Sequence, residues 1–291
     1  MNKRVLTVLE LIRLPGMFTA HADILAAFLI TGAGFNKFGS FLLVLMASSC
    51  LFSAGMALND FFDYKIDLKE RPQRPIPSGR ITRSHALAIG LGLLGAGLFF
   101  AFFAGGKTFL ISLALVSVIL LYDGVLKTHP VAGPLSMASC RYFNFLMGLS
   151  ILPFQGWTVI PLLIGIYIFG ITVLSQKEAQ GGKAVLNIAG CALAVGIVPL
   201  LHYGLFLKTT LPLFPGVLLS IVFAVFLSSI VLNLLEKNKP ADFQKTMKRL
   251  LLSIIVLDMI IATGSVPIFY SVMILLLYFP AFFSVRLFKI T

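Results

Sequence analysis

Residues 59–82 read NDFFDYKIDLKERPQRPIPSGRIT and lie between two long apolar runs. The stretch holds Asp60, Asp63, Asp67 and Glu70, four of the chain's eleven acids, interleaved with Lys65, Lys69, Arg71, Arg74 and Arg80. The surrounding chain is the opposite: 291 residues, 58% hydrophobic and 12% charged, with mean hydropathy +0.99. Soluble domains carry about twice that charged fraction. The composition therefore predicts an all-α integral membrane protein, a polytopic helical bundle, with residues 59–82 as a polar loop between spans. Spanning barrels are excluded, because the apolar runs are continuous and do not alternate.

The net charge of +12 does not point to nucleic acid in such a chain, since basic residues collect in cytoplasmic loops and set topology. Cys50, Cys140 and Cys191 all fall in apolar runs, without a CxxC or a Cys/His cluster, so neither a disulfide framework nor a zinc site is expected. The basic, amphipathic N-terminus MNKRVLTVLELIRLP lacks a small-residue cleavage site and reads as mature protein.

The predicted spans are 17–34, 41–61, 85–104, 107–122, 135–152, 158–174, 184–203, 211–235, a short one at 250–262, and a tenth at 269–287. With the N-terminus inside, only Lys37, Lys107 and Lys208 of the 23 Lys and Arg fall on the outer face, and Arg141 falls within a span. Both termini and the longest polar loops are thus expected in the cytoplasm, a bacterial inner membrane being the expected location. Gly90-x-Gly92-x-x-Gly95 matches a dinucleotide fingerprint by letters, but it lies inside an apolar run and reads as close helix packing.

If the second helix continues through Lys69, Asp60 and Asp67 differ by about 20° around its axis and Asp63 lies about 60° to the side. Three carboxylates on one face repel one another unless a cation neutralises them, and hard oxygens of this kind suit Mg²⁺ together with substrate phosphates. Asn59 adds a neutral amide, and Arg71 and Arg74 suit phosphate oxygens. Pro72, Pro75 and Pro77 break the helix, and Ser78-Gly79 lets the chain fold back. The alternative is a solvated loop of i,i+4 partners and topology markers. Within the spans, Asp23, Arg141, Asn144 and Asp258 should face a cavity or a partner. Arg141 and Asn144, one turn apart, fit either an acceptor pocket or a structural Asp–Arg pair. His21 is close enough in sequence to act with Asp23. Trp157 reads as an interfacial anchor, and Lys248-Arg249 as a headgroup contact.

Asn59-Asp60-x-x-Asp63-x-x-x-Asp67 followed by Arg71-Pro72-x-Arg74-Pro75-x-Pro77-Ser78-Gly79 resembles the first aspartate-rich motif of the UbiA family of intramembrane prenyltransferases. Tyr122–Lys127 (YDGVLK) and Arg13-x-Pro15 match two further, shorter family elements. The resemblance covers roughly residues 8–265. It implies a single transmembrane domain of nine to ten helices around a central cavity, with the tenth span as an addition. It also implies Mg²⁺-dependent transfer of a prenyl group from a polyprenyl diphosphate to a lipophilic or aromatic acceptor at the bilayer, without nucleic acid. Asp60, Asp63 and Asp67 would hold the metal, supported by Asn59. Asp60, Asp63, Lys127 and Arg141 would be catalytic. Arg71, Arg74, Tyr122, Lys177, Glu178 and Asn144 would bind substrates. Phe61, Phe62, Tyr142 and Phe143 are candidates for facing a carbocation.

The family's second acidic motif belongs in the loop after the sixth span, which here reads SQKEAQGGK, with Glu178 as its only acid. Lys177 or Lys183 could neutralise diphosphate instead, or Asp123 could supply a carboxylate. This wording is similar to the divergent UbiA-like members of bacterial Ebo gene clusters. A terpene cyclase, or an isoprenoid-lipid binding or transport component without turnover, stays open beside the prenyltransferase.

Overall fold

The structure, a computed structural model, describes residues 3–152, 159–176, 213–236 and 240–287. Every element among them is helical. Helix α1 (Lys3–Leu11) is amphipathic and meets α2 (Leu14–Ile30) at a 51° bend. Pro15 sits in the first turn of α2, where its missing N–H costs nothing. A 3₁₀ turn (Phe35–Lys37) leads into α3 (Phe38–Phe62), and α4 (Tyr64–Glu70) continues from it after a joint at Asp63. Then come α5 (Arg83–Ala104), α6 (Gly106–Leu121), a π-turn (Tyr122–Leu126), α7 (Ala132–Leu149) and α8 (Ile160–Gln176). After residues 177–212 come α9 (Leu213–Glu236), α10 (Pro240–Leu252) and α11 (Ile254–Thr263).

The expected spans match these helices to within a few residues where they are described; the one placed at 184–203 lies outside the described residues. The short ninth span is extended by amphipathic α10, with a joint at Ser253. There Tyr167, fully buried on α8, donates its hydroxyl to the Leu250 carbonyl (3.0 Å) and sits 2.6 Å from Ser253 Oγ. The tenth segment is not one regular helix: α12 (Ile268–Val272) passes through a 3₁₀ stretch (Met273–Leu277) into α13 (Tyr278–Leu287). Pro280 has no N–H to offer Leu276, and its ring crowds that carbonyl, which accounts for the altered helix just before it.

Helices α2 and α7 belong to both main hydrophobic clusters and form the middle of the bundle. One cluster joins them to α3, α5 and α6, the other to α8, α9, α11 and the last segment. Large apolar side chains such as Phe99, Phe102, Leu110, Val225 and Phe279 point outward. Helices Phe35–Phe62, Arg83–Ala104 and Gly106–Leu126 are each long and apolar enough to cross a bilayer, as is the bent α1–α2 pair taken together.

The glycine-rich run in α5 serves packing, but not through all the residues of the quoted pattern. Ala86, Gly90, Leu94, Gly97 and Ala101 form the buried stripe against α3. A Cβ on Gly97 would stand 2.6 Å from the Leu51 side chain and 3.3 Å from the Ala47 carbonyl, whereas Gly92 and Gly95 face open space. Gly97→Val is therefore expected to lower stability by about 1–3 kcal/mol through overpacking. Gly92→Ala is expected to be neutral or slightly stabilising, and thermal unfolding in detergent compares the two.

Candidate active site

The C-terminal end of α3, α4 and the loop that follows build a dense ionic cluster. The i→i−4 hydrogen-bond ladder runs through the joint: Asp63 N donates to Asn59 O (2.9 Å) and Asp67 N to Asp63 O (2.9 Å). Asp60 and Asp67 therefore share a face, as their spacing requires. A single nitrogen of Arg74, Nη1, donates to Asp60 Oδ1 (3.2 Å) and to Asp67 Oδ2 (2.7 Å). Asp63 points round the helix and pairs with Lys127. Arg13 Nη2 donates to Asp60 Oδ1 at 3.1 Å, and Arg71 lies 3.9 Å from Asp67 Oδ1.

The loop is pinned rather than free. Ile76 is buried against Leu11, Ala57 and Ala86, and Gly79 takes φ +73°, which a glycine adopts without strain. Arg80 forks onto Glu10 of α1 and donates to the Gln73 carbonyl (2.6 Å). The Glu10 carboxylate holds the Arg80 guanidinium above its ordinary pKa. Thr82 caps α5 by accepting from His85 N at 3.2 Å. The three prolines thus return the chain over the carboxylates, as the sequence indicates.

One expectation needs correction. Arg74 is not held out towards a phosphate: its side chain is only 7% exposed and its guanidinium is committed to Asp60 and Asp67. The more exposed cations are Arg13, Arg71 and Lys127, at 29%, 42% and 28%. Nor do the carboxylates already form a metal cage, since no three Asp, Glu, His or Cys groups converge among the described residues. Cations take the carboxylates up instead: Asp60 and Asp67 share Arg74, and Asp63 pairs with Lys127. The donor chemistry nevertheless fits a hard divalent ion. The side chains supply only carboxylate oxygens, and Asp67 Oδ1 is buried without a hydrogen-bond donor.

Beside this cluster lies a cavity of about 590 Å³ including its open part, between α2, α3, α6 and α7. Its α3 wall runs from Leu51 to Asn59, about 12 Å of helix rise. Leu51, Phe52, Met56, Leu115, Ile119 and Met137 make it largely apolar, with Asn59, Tyr122 and Asp123 on one part of its wall and Arg141 and Asn144 on another. Arg141 Nη1 donates to Asp23 Oδ2 (2.9 Å), and its other terminal nitrogen reaches Thr19. Asn144 Nδ2 donates to Asp23 Oδ2 (2.8 Å) and the Ala20 carbonyl (3.1 Å), while its oxygen accepts from Ser48 (2.7 Å). Arg141 thus pairs with a buried aspartate and also lines the cavity.

His21 does not act with Asp23; its Nε2 is 2.7 Å from Ser49 Oγ. Asp258 is fully buried beside Asp23, and both of its oxygens lack a donor. None of the four aromatic candidates lines the cavity. Arg83 covers the Phe61 ring at 4.3 Å, Phe62 is exposed, and the aromatic walls are Phe52 and Tyr122. Lys177, Lys183 and Glu178 lie outside the described residues, as do Trp157, Cys191 and His202.

The sequence reading missed the part played by Arg13, although Arg-x-Pro at the entry to the first span marked the place. Arg13 has φ 49°, the one positive φ at a non-glycine among the described residues, and this left-handed turn at the α1–α2 bend accompanies its contact with Asp60.

The described helices thus place a basic–acidic cluster beside a largely apolar cavity. The model of the UbiA prenyltransferase family matches residues 23–255. The digeranylgeranylglyceryl phosphate synthase of Methanosarcina mazei is 30% identical over 279 residues, covering 85% of this chain and 95% of that protein. The match to the synthase of the same name from Methanothrix thermoacetophila is 34% identical over 143 residues and covers 49% of this chain and 54% of the relative. Among solved structures, a UbiA homologue from Archaeoglobus fulgidus bound to GPP and Mg²⁺ superposes with TM-score 0.64 at 14% identity, covering 86% of this chain and 98% of the other. The chain belongs to the UbiA prenyltransferase family and is an integral membrane prenyltransferase.

Proposed function

We propose that the chain moves a prenyl group from a prenyl diphosphate to a lipophilic acceptor that carries a polar head, with Mg²⁺ at Asp60, Asp63 and Asp67. The observation that carries this is the ionic cluster beside the cavity: three carboxylates facing Arg13, Arg71, Arg74 and Lys127. Three of those four cations have partly exposed side chains, which suits an incoming diphosphate. When bound, the metal would stabilise negative charge on the departing diphosphate. Arg13, Arg71 and Lys127, partly exposed, can turn from carboxylate to phosphate oxygens and stabilise the same charge. Arg74 keeps Asp60 and Asp67 in place. The apolar wall receives isoprenoid chain and excludes water, and Arg141 with Asn144 orients the acceptor's head. The relatives' product name supports an acceptor of the glyceryl phosphate type. Tyr122 and Asn59 frame the reacting end. The polar loops that carry these residues lie on the cytoplasmic side in this reading.

The test is to incubate purified protein with Mg²⁺ and labelled geranylgeranyl diphosphate, with and without membrane extract. Diphosphate release that depends on extract is expected, together with its loss on chelation of the metal. Release without any acceptor would instead indicate cyclisation or hydrolysis. Asp63→Ala is expected to lower turnover at least about 100-fold, the scale of removing one preorganised electrostatic contact. Binding without release, indifferent to that substitution, would overturn the reading.

A further inference from the structure

We propose that Asp123 is the general base of the transfer step, taking the proton of an acceptor hydroxyl; the assignment rests on the function proposed above. Asp123 sits in the π-turn that ends α6, where Lys127 N donates back to Tyr122 O at 3.0 Å. π-Turns inside helices concentrate at functional sites because they re-aim side chains. This one carries Lys127, which pairs with Asp63, and also Asp123, which lines the cavity. The same turn therefore contributes to both the ionic cluster and the cavity.

Asp123 differs from the other carboxylates of the site. Asp60, Asp63 and Asp67 each face a cation within 4 Å, whereas Asp123 makes no ion pair among the described residues. Its partner is a neutral amide: Asn59 Nδ2 donates to Oδ1 at 2.8 Å. A carboxylate neutralised by arginine or lysine is a poor proton acceptor, while one held by a single amide keeps a second oxygen for the work. Asp123 is also the one carboxylate among the described residues that line the cavity. Asn59 is followed directly by Asp60 of the ionic cluster, so the base stands next to where the diphosphate end of the donor would bind.

The step balances without a further reactant. The bond between the prenyl C1 and the diphosphate oxygen breaks, and the diphosphate leaves with the electron pair. An oxygen lone pair of the acceptor forms the new C1–O bond, and the hydroxyl proton passes to the Asp123 carboxylate. The acceptor class is thus a hydroxyl-bearing lipid, whose oxygen is a weak nucleophile until its proton is accepted.

The test uses the full chain in nanodiscs with Mg²⁺, labelled geranylgeranyl diphosphate, and a geranylgeranylglyceryl phosphate that has one free hydroxyl. Asp123→Asn, which keeps shape and an acceptor for Asn59, is expected to cut transfer at least about 100-fold while donor affinity and Mg²⁺ half-saturation stay within about threefold. Formate is expected to restore at least about tenfold to Asp123→Ala, as a small carboxylate filling the space left by the base. Transfer by Asp123→Asn within about threefold of wild type would overturn the assignment. So would a tenfold or larger shift in donor affinity or Mg²⁺ half-saturation, which would make Asp123 a ligand of the diphosphate site. Wild-type protein that binds the donor but transfers to neither this hydroxyl nor any extract acceptor would sink the proposed function itself, a result visible without any variant.

Discussion

Arg74→Ala is expected to destabilise the protein by about 3–5 kcal/mol, the scale of breaking a buried ion pair by removing one partner. Asp60 and Asp67 are 3% and 0% exposed and share the one Arg74 nitrogen. Without it, two buried carboxylates face each other, with only Arg13 close to one and Arg71 at 3.9 Å from the other. With Mg²⁺ placed at these carboxylates as proposed, the same substitution removes a competitor for it. Mg²⁺ is therefore expected to raise the Tm of Arg74→Ala by more than it raises that of wild type, because the ion replaces a counter-charge the variant lacks. Arg74→Lys should recover part of the loss, since an ammonium restores the charge but not the fixed planar fork. Thermal unfolding in detergent across a Mg²⁺ series reads all three. An Arg74→Ala protein with the wild-type Tm and the wild-type Mg²⁺ response would show that the guanidinium is not the internal counter-ion of the cluster.

The carboxylate face was legible because two simple regularities coincide there. Acids are rare elsewhere in the chain, and the seven-residue spacing of Asp60 and Asp67 returns to nearly the same side of a helix. Span positions were legible for a similar reason, since bilayer thickness and continuous apolar runs leave few choices. The partners of the carboxylates were less legible. Whether Arg74 or Arg71 turns inward depends on how the Pro72–Pro77 turn folds, and Ile76 decides that by packing on Leu11 and Ala86 from distant parts of the chain. Arg13 comes from 47 residues before Asp60, and a left-handed residue at a helix bend leaves no periodic trace. In α5 the pattern of glycines suggested the right kind of packing but only one right member, because the face towards α3 selects Gly90 together with Gly97, outside the pattern. The π-turn at Tyr122 was invisible to any count of apolar residues, although Asp and Gly at its centre interrupt the run.

Arg141→Met is expected to be about as damaging, for the same physical reason in a drier place. Asp23 is fully buried in α2, and Arg141 provides its cationic partner, with Asn144 as a second donor. Removing the guanidinium leaves a charge inside the bundle and should cost about 3–5 kcal/mol. The double variant Asp23→Asn, Arg141→Met removes both charges and is expected to regain most of that stability, as buried pairs replaced together often do. Asp258→Asn adds a third leg: an amide beside Asp23 cannot add a second negative charge to this buried site, so this variant should unfold at or above the wild-type Tm. Activity then separates the two roles of Arg141. If it orients the acceptor's head from the cavity wall, the double variant is folded yet transfers poorly, with the acceptor KM raised more than kcat is lowered. If the double variant recovers transfer along with stability, Arg141 is only the partner of Asp23 and the acceptor is held elsewhere. If it fails to regain stability, the contact between Arg141 and Asp23 is not what holds α2 to α7 at this level, and the close approach of Gly148 to Ile24 and Ala27 must carry that interface instead.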